Sequence, residues 1–425
     1  MKNAIIIGLL LLTSTAFMGL IVDESVTDIN LTIRGDTHAQ IMWGVIDCLL
    51  VVFCFFYGRQ FLRVASRQPL IVAFVAWSTL SLAWSDDPQL SARRLLGLIC
   101  TTAMGFVLGM KLEMKALLRL LVQAMAIAMV ASIFAAILFP SFGVMANLDS
   151  GAWRGVFTHK NELGHSIGFA LIAVICLLWD SRRHRIVHLS LLGLGVALLI
   201  LSRSMTSTIV VALTLFLGGY WRLRLRPAQR FAVLAMATLL AVAGTAVVAT
   251  HVDSVLHLVG RDSTLTGRVP MWRLAVASVG DRPLLGAGWD AFWPGPEGDR
   301  IRSLVHWDVP HAHNGFLEMS LNIGLIGLAL YVAGFYDCLR RAARYRDDFS
   351  NPVRLWPLLY YVYTLFFFFT EAPAVDRHTL SFILYCAISV SMTEGARIQA
   401  TESELEEEYA ASEIPSDSRV VQEFQ

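Results

Sequence analysis

The stretch Leu201-Ser-Arg-Ser-Met-Thr-Ser-Thr208 holds one guanidinium, that of Arg203, in a short hinge between two apolar runs. A hinge this short cannot carry the charge far from its apolar surroundings, so Arg203 must meet an anion, a carbonyl or water. With Ser202, Ser204 and Thr206 as hydroxyl donors it reads as an anion site. The competing reading is an arginine snorkelling to lipid head groups. A second stretch, Trp153-Arg-Gly-Val-Phe-Thr-His-Lys-Asn-Glu-Leu-Gly164, brings Arg154, His159, Lys160 and Asn161 to the mouth of the next apolar run. Helix N-termini favour anions through unpaired N–H groups and the dipole, and a diphosphate suits such a place. Equally, Thr158 or Asn161 simply caps the helix and Lys160 is solvated.

Between His251 and Asn314 lie Arg261, Arg268 and Arg273. Arg261 and Arg268 would share a face if that stretch were helical, whereas Arg268 and Arg273 would align less well. Arginine grips phosphate with a fork that lysine lacks; a solvated basic face touching lipid is the alternative. The last cluster is His311-Ala-His-Asn-Gly-Phe-Leu-Glu-Met-Ser-Leu-Asn-Ile-Gly-Leu-Ile-Gly327. His313 falls at the water boundary of an apolar run, where an imidazole can exchange protons and so act as a general base. An interfacial histidine with no chemical role fits the same position. Asn314 and Glu318 stack on one helix face. Gly324 and Gly327 would let another helix pack closely.

The elements that position these groups follow from composition. The chain has 425 residues, 56% hydrophobic and 16% charged, and a mean hydropathy of +0.59. Soluble domains carry roughly 25% charged residues, so the shortfall points to a bilayer. The net charge of +1 gives no basic field for nucleic acid. No Gly-rich phosphate loop, His-Glu-x-x-His pair or Cys-x-x-Cys pair is present. Cys48, Cys54, Cys100, Cys176 and Cys386 lie in apolar runs and Cys338 at the end of one, which suggests no disulfide framework.

About twelve runs are long or apolar enough to be spans, given the roughly 20 residues a helix needs to cross the hydrocarbon. They are Ala4–Val22, Ile41–Tyr57, Leu70–Trp84, Leu95–Met110, Leu117–Phe139, Gly164–Trp179, Leu189–Leu201, Thr206–Trp221, Phe231–Thr250, Gly315–Tyr336, Leu355–Thr370 and Thr379–Met392. The first reads as a retained span rather than a cleaved signal. Alternate loops carry the arginine-rich sets: Arg59 to Arg67, Lys111 to Arg119, Arg182 to Arg185, Arg222 to Arg230 and Arg340 to Arg354. The intervening short loops are poorer in basic residues, so both termini are expected in the cytoplasm. The expectation is an all-α polytopic membrane domain over residues 1–393, with a long periplasmic loop at 251–314. Its aromatics, Trp272, Trp289, Phe292, Trp293 and Trp307, argue for order, and a short helix with Pro270 in its first turn is expected from Arg268 on. Residues 394–425 read as an acidic, disordered cytoplasmic tail.

The spacing His313-Asn314, nine residues, Gly324, two residues, Gly327 resembles the signature of the O-antigen ligase and Wzy-type polymerase superfamily. Four further stretches match in order: the Arg154–Gly164 segment, Leu201-Ser-Arg-Ser204, Gly267-Arg-Val-Pro-Met-Trp272 and Pro283-Leu-Leu-Gly-Ala-Gly-Trp-Asp-Ala-Phe292. Together they look most like exopolysaccharide repeat-unit polymerases of the succinoglycan type, over residues from about Leu70 to Met392. The acidic tail has no counterpart in the resemblance.

The resemblance implies a GT-C-like inverting membrane glycosyltransferase of the bacterial inner membrane, with its site on the periplasmic face. Its donor would be a polyprenyl-diphosphate-linked oligosaccharide. It would need no cofactor, metal or nucleic acid, and a chain-length regulator is the implied protein partner. The family histidine carries onto His313 and the diphosphate-binding arginines onto Arg203 and Arg268. Arg154, Lys160, Asn161, Asn314, Arg273 and His311 are the expected substrate-binding residues. An O-antigen ligase that moves polymer onto a lipid A core is the alternative with the same site. A glycan flippase or transporter is the reading from another class; no obvious duplication between the halves and polar residues gathered at one face argue against it.

Overall fold

The computed structural model describes residues 2–18, 37–146, 150–180, 183–222, 268–305, 308–345, 351–371 and 378–394, with the single residues 226, 229 and 236. Apart from Met236, the expected span Phe231–Thr250 lies outside the described residues, as do Arg261, Trp307 and the tail beyond Glu394. The helices run α1 (Lys2–Thr13), α2 (Thr37–Phe56), α3 (Gly58–Ala65), α4 (Pro69–Leu80), α5 (Pro88–Lys111), α6 (Met114–Leu138), α7 (Lys160–Asp180), α8 (Arg185–Leu201) and α9 (Met205–Arg222). After them come α10 (Arg268–Asp281), α11 (Pro296–Val305), α12 (Gly315–Tyr345), α13 (Trp356–Phe368) and α14 (Leu380–Glu394). Among the described residues there is no strand, only an isolated bridge between Val144 and Trp153.

The apolar runs form helices because in hydrocarbon every backbone N–H and C=O must be paired within its own segment. Their starts carry the usual signals. Proline opens α4 and α5, where its missing N–H costs nothing, and Asp87 caps α5 by accepting from Leu90 N at 3.0 Å. Among the described residues α2, α5, α6, α7 and α12 are long and apolar enough to cross a membrane; α1, α8, α14 and the Pro69–Trp84 stretch are shorter apolar helices. Within the long loop, α10 begins at Arg268 with Pro270 in its first turn, as the sequence predicts.

Helix α7 is the centre of the bundle, packed by α6, α8, α9 and α13, with Ile167, Ala170 and Cys176 fully buried. At the edge, α2 buries only Asp47. That carboxylate lies 3.1 Å from His378 Nε2, and the His378 ring stacks on Trp43 at 4.1 Å between centroids. A carboxylate in an apolar helix is costly unless paired, so this pair fastens α2 to the start of α14.

Helix α12 is broken at Gly324, whose φ of 68° and ψ of −178° lie outside helical space and in a region essentially restricted to glycine. The sequence suggests that Gly324 and Gly327 admit a neighbouring helix; at Gly324 the neighbour is instead the loop at 283–288. A Cβ on Gly324 would collide with the Leu284 carbonyl, and one on Gly327 would press on the Ile323 side chain. The loop takes up the backbone groups that the break frees. Ala287 N donates to Leu321 O at 2.9 Å, Gly288 N to Asn322 O at 2.8 Å and Leu325 N to Pro283 O at 2.8 Å. Trp77 Nε1 donates to Ile323 O at 3.0 Å. A broken helix at membrane depth requires such pairing, and here it locks the tryptophan-bearing loop onto α12.

Candidate active site

One cavity of about 640 Å³ lies at one end of the bundle. Its walls come from the end of α1, the starts of α7, α12 and α14, the end of α13 and the loops before and after α11. His159, Asn161, His311, His313 and Glu371 line one part of it; Arg94, Trp289, Asp290, Trp293, Glu318 and Asn322 line another.

The chemistry centres on Glu371, which follows α13 and is 5% exposed. Its Oε2 lies 2.8 Å from His313 Nδ1, and its Oε1 accepts from Arg268 Nη2 at 2.9 Å and from Asn161 Nδ2 at 3.4 Å. Arg268 Nη1 donates to Thr370 O at 2.9 Å. Asn161 Oδ1 in turn accepts from Ser204 Oγ at 3.1 Å, so the hinge between α8 and α9 is tied into the same network. Burial alone would raise the Glu371 pKa; the hydrogen bond from His313, with the positive potential of its ring and of Arg268, outweighs that and holds the carboxyl at about 2. An ionised carboxylate only accepts, so His313 Nδ1 carries a proton, and whenever the ring is neutral its lone pair is on Nε2. His313 itself has φ of 47°, a backbone strain that non-glycine residues keep mainly at working sites.

His311 sits beside His313, ring centroids 4.1 Å apart, with its Nδ1 accepting from His313 N at 3.2 Å. Burial, then the neighbouring His313, pushes its pKa from 6.5 down to about 3. The signs of the two shifts agree. Glu371 has a folded pKa below its ordinary 4.5, so its stabilisation is present above that value and is lost as pH falls towards about 2. His311 folds neutral, so stability is lost as pH falls from about 6.5 towards about 3. His311→Asn removes the His311 contribution, so the melting temperature of that variant relative to wild type should rise steadily as pH falls below about 6.5. A difference between the two proteins that does not change with pH contradicts the assignment.

The expected site residues do not all converge. Arg268, His313, His311 and Asn161 are brought together. Arg203 is not: its left-handed turn, φ 50°, leaves the guanidinium exposed, donating to Ser150 O at 3.1 Å, while Ser204 next to it points inward to Asn161. Arg154 is held by carbonyls, Nε to Phe142 O at 2.6 Å and Nη1 to Thr158 O at 3.3 Å. Asn314 caps α12 by accepting from Leu317 N at 3.0 Å and donates to Phe369 O at 3.2 Å. Lys160 begins α7 and is half-buried, and Arg273 is exposed on α10. The residues absent from the sequence reading are Glu371, His165 and Asp290. The signal that could have found Glu371 is a carboxylate wedged between two apolar runs. His165 stands inside a run, bonded to Tyr363 Oη at 3.1 Å and Ser381 Oγ at 3.0 Å.

His311, His313 and Glu371 could also hold a divalent cation, their donor atoms lying within 4.8 Å of one another. Two imidazoles and a carboxylate are a common zinc set. The Arg268 guanidinium on the same carboxylate opposes it, because a second cation would compete for the oxygen and meet a fixed positive charge.

The architecture and site together define a helical, multi-pass membrane protein with a base-and-guanidinium cluster in a cavity at one end. Residues 188–332 match the O-antigen ligase family. The chain is also similar to the exopolysaccharide production protein ExoQ of Rhizobium meliloti (strain 1021), 29% identical over 354 residues that cover 71% of this chain and 78% of that protein. The resemblance to the O-antigen ligase and Wzy-type superfamily, on its ExoQ-like side, thus rests on similarity over 71% of the chain as well as on motifs, and the chain is a multi-pass bacterial membrane protein.

Proposed function

We propose that the protein polymerises polyprenyl-diphosphate-linked oligosaccharide repeat units into exopolysaccharide at the periplasmic face of the inner membrane, with both termini in the cytoplasm. The observation that carries this reading is the buried carboxylate of Glu371 in the cavity wall, shared by a guanidinium and an imidazole. Similarity to ExoQ and to O-antigen ligase supports a role in polysaccharide assembly.

In this reaction an acceptor sugar hydroxyl attacks the anomeric carbon of the donor. Its proton passes to His313 Nε2, the new C–O bond forms, and the bond from C1 to the phosphate oxygen breaks with its electron pair leaving on the diphosphate. Glu371 holds His313 in the tautomer that accepts, as a buried carboxylate does for a catalytic histidine in acyl transfer. Arg268 uses two of its five N–H donors on Glu371 and Thr370 among the described residues, and the diphosphate takes others as its charge grows. Asn161 and His311 border that leaving group, Lys160 and the exposed Arg203 stay outside the cavity wall, and Arg154 and Asn314 hold the backbone that presents the site. A single displacement inverts the anomeric centre, with no metal or covalent intermediate. The polyprenyl chain lies along the helices in lipid.

The O-antigen ligase match favours a second reading, transfer of finished polymer to a lipid A core. A deletion strain separates the two. Accumulated single lipid-linked repeats identify a polymerase; unattached long polymer identifies a ligase. Complementation with Arg268→Lys should restore less than about 10% of polymer, because lysine loses the fork. Arg203→Lys, at an exposed guanidinium outside the cavity lining, should restore most of it. Full activity of Arg268→Lys counts against the reading.

A further inference from the structure

The cavity has a part that the chemistry above does not use. Arg94, on α5 and 4% exposed, donates from Nη1 to Asp290 O at 2.6 Å and lies 3.0 Å from Asp290 Oδ2. Asp290 has φ of 54°, an unusual state for a side chain-bearing residue and one held here by the buried arginine. On either side of it in the same wall stand Trp289 and Trp293. Trp293 Nε1 donates to Glu318 Oε2 at 2.9 Å, and that oxygen also accepts from Ala312 N at 2.7 Å. Ala312 lies between His311 and His313, so this wall is joined directly to the base. The indole N–H of Trp289, itself 3% exposed, has no acceptor among the described residues. A buried donor in that state is stabilised by a ligand oxygen.

The two parts of the cavity differ in what they offer. Near His313, Arg268 is bound to Glu371 of the cavity wall and the start of α7 contributes Asn161. The other part pairs Asp290 with Arg94 and adds the acceptor oxygens of Glu318, so it holds no uncompensated positive charge for a diphosphate and suits neutral hydroxyls. A sugar ring presents hydroxyls at its edge and C–H groups on its faces, which fits acceptor oxygens beside tryptophan.

Resting on the reaction proposed above, we infer that the Arg94–Asp290 pair with Trp289 and Trp293 forms the subsite for the acceptor sugar, and that Asp290 bonds its hydroxyls and sets which glycan end is extended. Direct binding to the purified full-length protein tests this with two probes. One is the repeat-unit oligosaccharide released by mild acid from the polysaccharide of the host cell, followed by tryptophan fluorescence. The other is undecaprenyl diphosphate. Asp290→Asn keeps the backbone, because asparagine tolerates the left-handed state, and Asp290→Ala removes the side chain. Both should weaken oligosaccharide binding about tenfold or more, the effect of losing charge-assisted bonds, with undecaprenyl diphosphate binding within about twofold of wild type. Arg268→Ala should show the reverse pattern. Oligosaccharide binding unchanged in both Asp290 variants, or both probes weakened alike, overturns the subsite while leaving the reaction in place. A wild-type protein that binds neither probe overturns the reaction reading, and the subsite with it.

Discussion

Alanine at position 313 will lower polymer formation by about 10³-fold, within the span that general bases contribute, while the amount of protein in the membrane stays at the wild-type level. The size follows from the surroundings of the ring. Glu371, ionised and buried, fixes Nδ1 as the donor at 2.8 Å, so the lone pair of the neutral ring is on Nε2. Removing the ring deletes the proton acceptor and leaves Glu371 its bond from Arg268 at 2.9 Å, which is why the fold survives. Glu371→Gln separates orientation from proton transfer: His313 stays, but the amide no longer dictates its tautomer. Polymer yield and length in a deletion strain, with membrane abundance checked by immunoblot, measure both variants. Unchanged yield with His313→Ala removes that residue from the mechanism.

Gly324→Ala should have the largest effect on assembly. The position combines a φ of 68° with a site where a Cβ would meet the Leu284 carbonyl. A methyl group there strains the backbone and pushes the 283–288 loop off α12, breaking the bonds from Ala287, Gly288 and Leu325. Strain of about 1–3 kcal/mol plus about 1 kcal/mol for each lost hydrogen bond approaches the whole stability margin of a domain. The expected result is little or no folded protein by size-exclusion chromatography. Gly280→Ala, on α10 with open space where its Cβ would stand, should be recovered in good yield. Equal recovery of the two variants contradicts the role given to the break.

The membrane character was legible because it is written in composition, which bilayer solvation imposes along the whole chain. His313 and Arg268 were legible through the family resemblance; their places at the start of an apolar run and of a short loop helix fitted an interfacial or solvated role as well. Glu371 was not, since its partners lie 58 and 103 residues away in sequence and no periodicity links them. The argument that singled out Arg203, a charge trapped between apolar runs, applies equally to Glu371 and to Asp47. Spacing alone cannot tell which of these charges turns inward. At Arg203 a left-handed turn sends the guanidinium to the surface and its neighbour Ser204 into the network. The role of Gly324 was visible as a motif, but its physical reason was not, because the loop it receives lies 36 to 41 residues earlier.

The central claim is that this cavity transfers a glycan from a lipid diphosphate, and the most direct measurement is turnover by the purified protein in vesicles. The vesicles would carry the polyprenyl-diphosphate-linked repeat, a chelator and no ion gradient. The prediction is one polyprenyl diphosphate released for each linkage formed, inverted configuration at the new bond, and loss of both with His313→Ala. Turnover that needs a gradient, or that continues at the wild-type rate in His313→Ala, would contradict it.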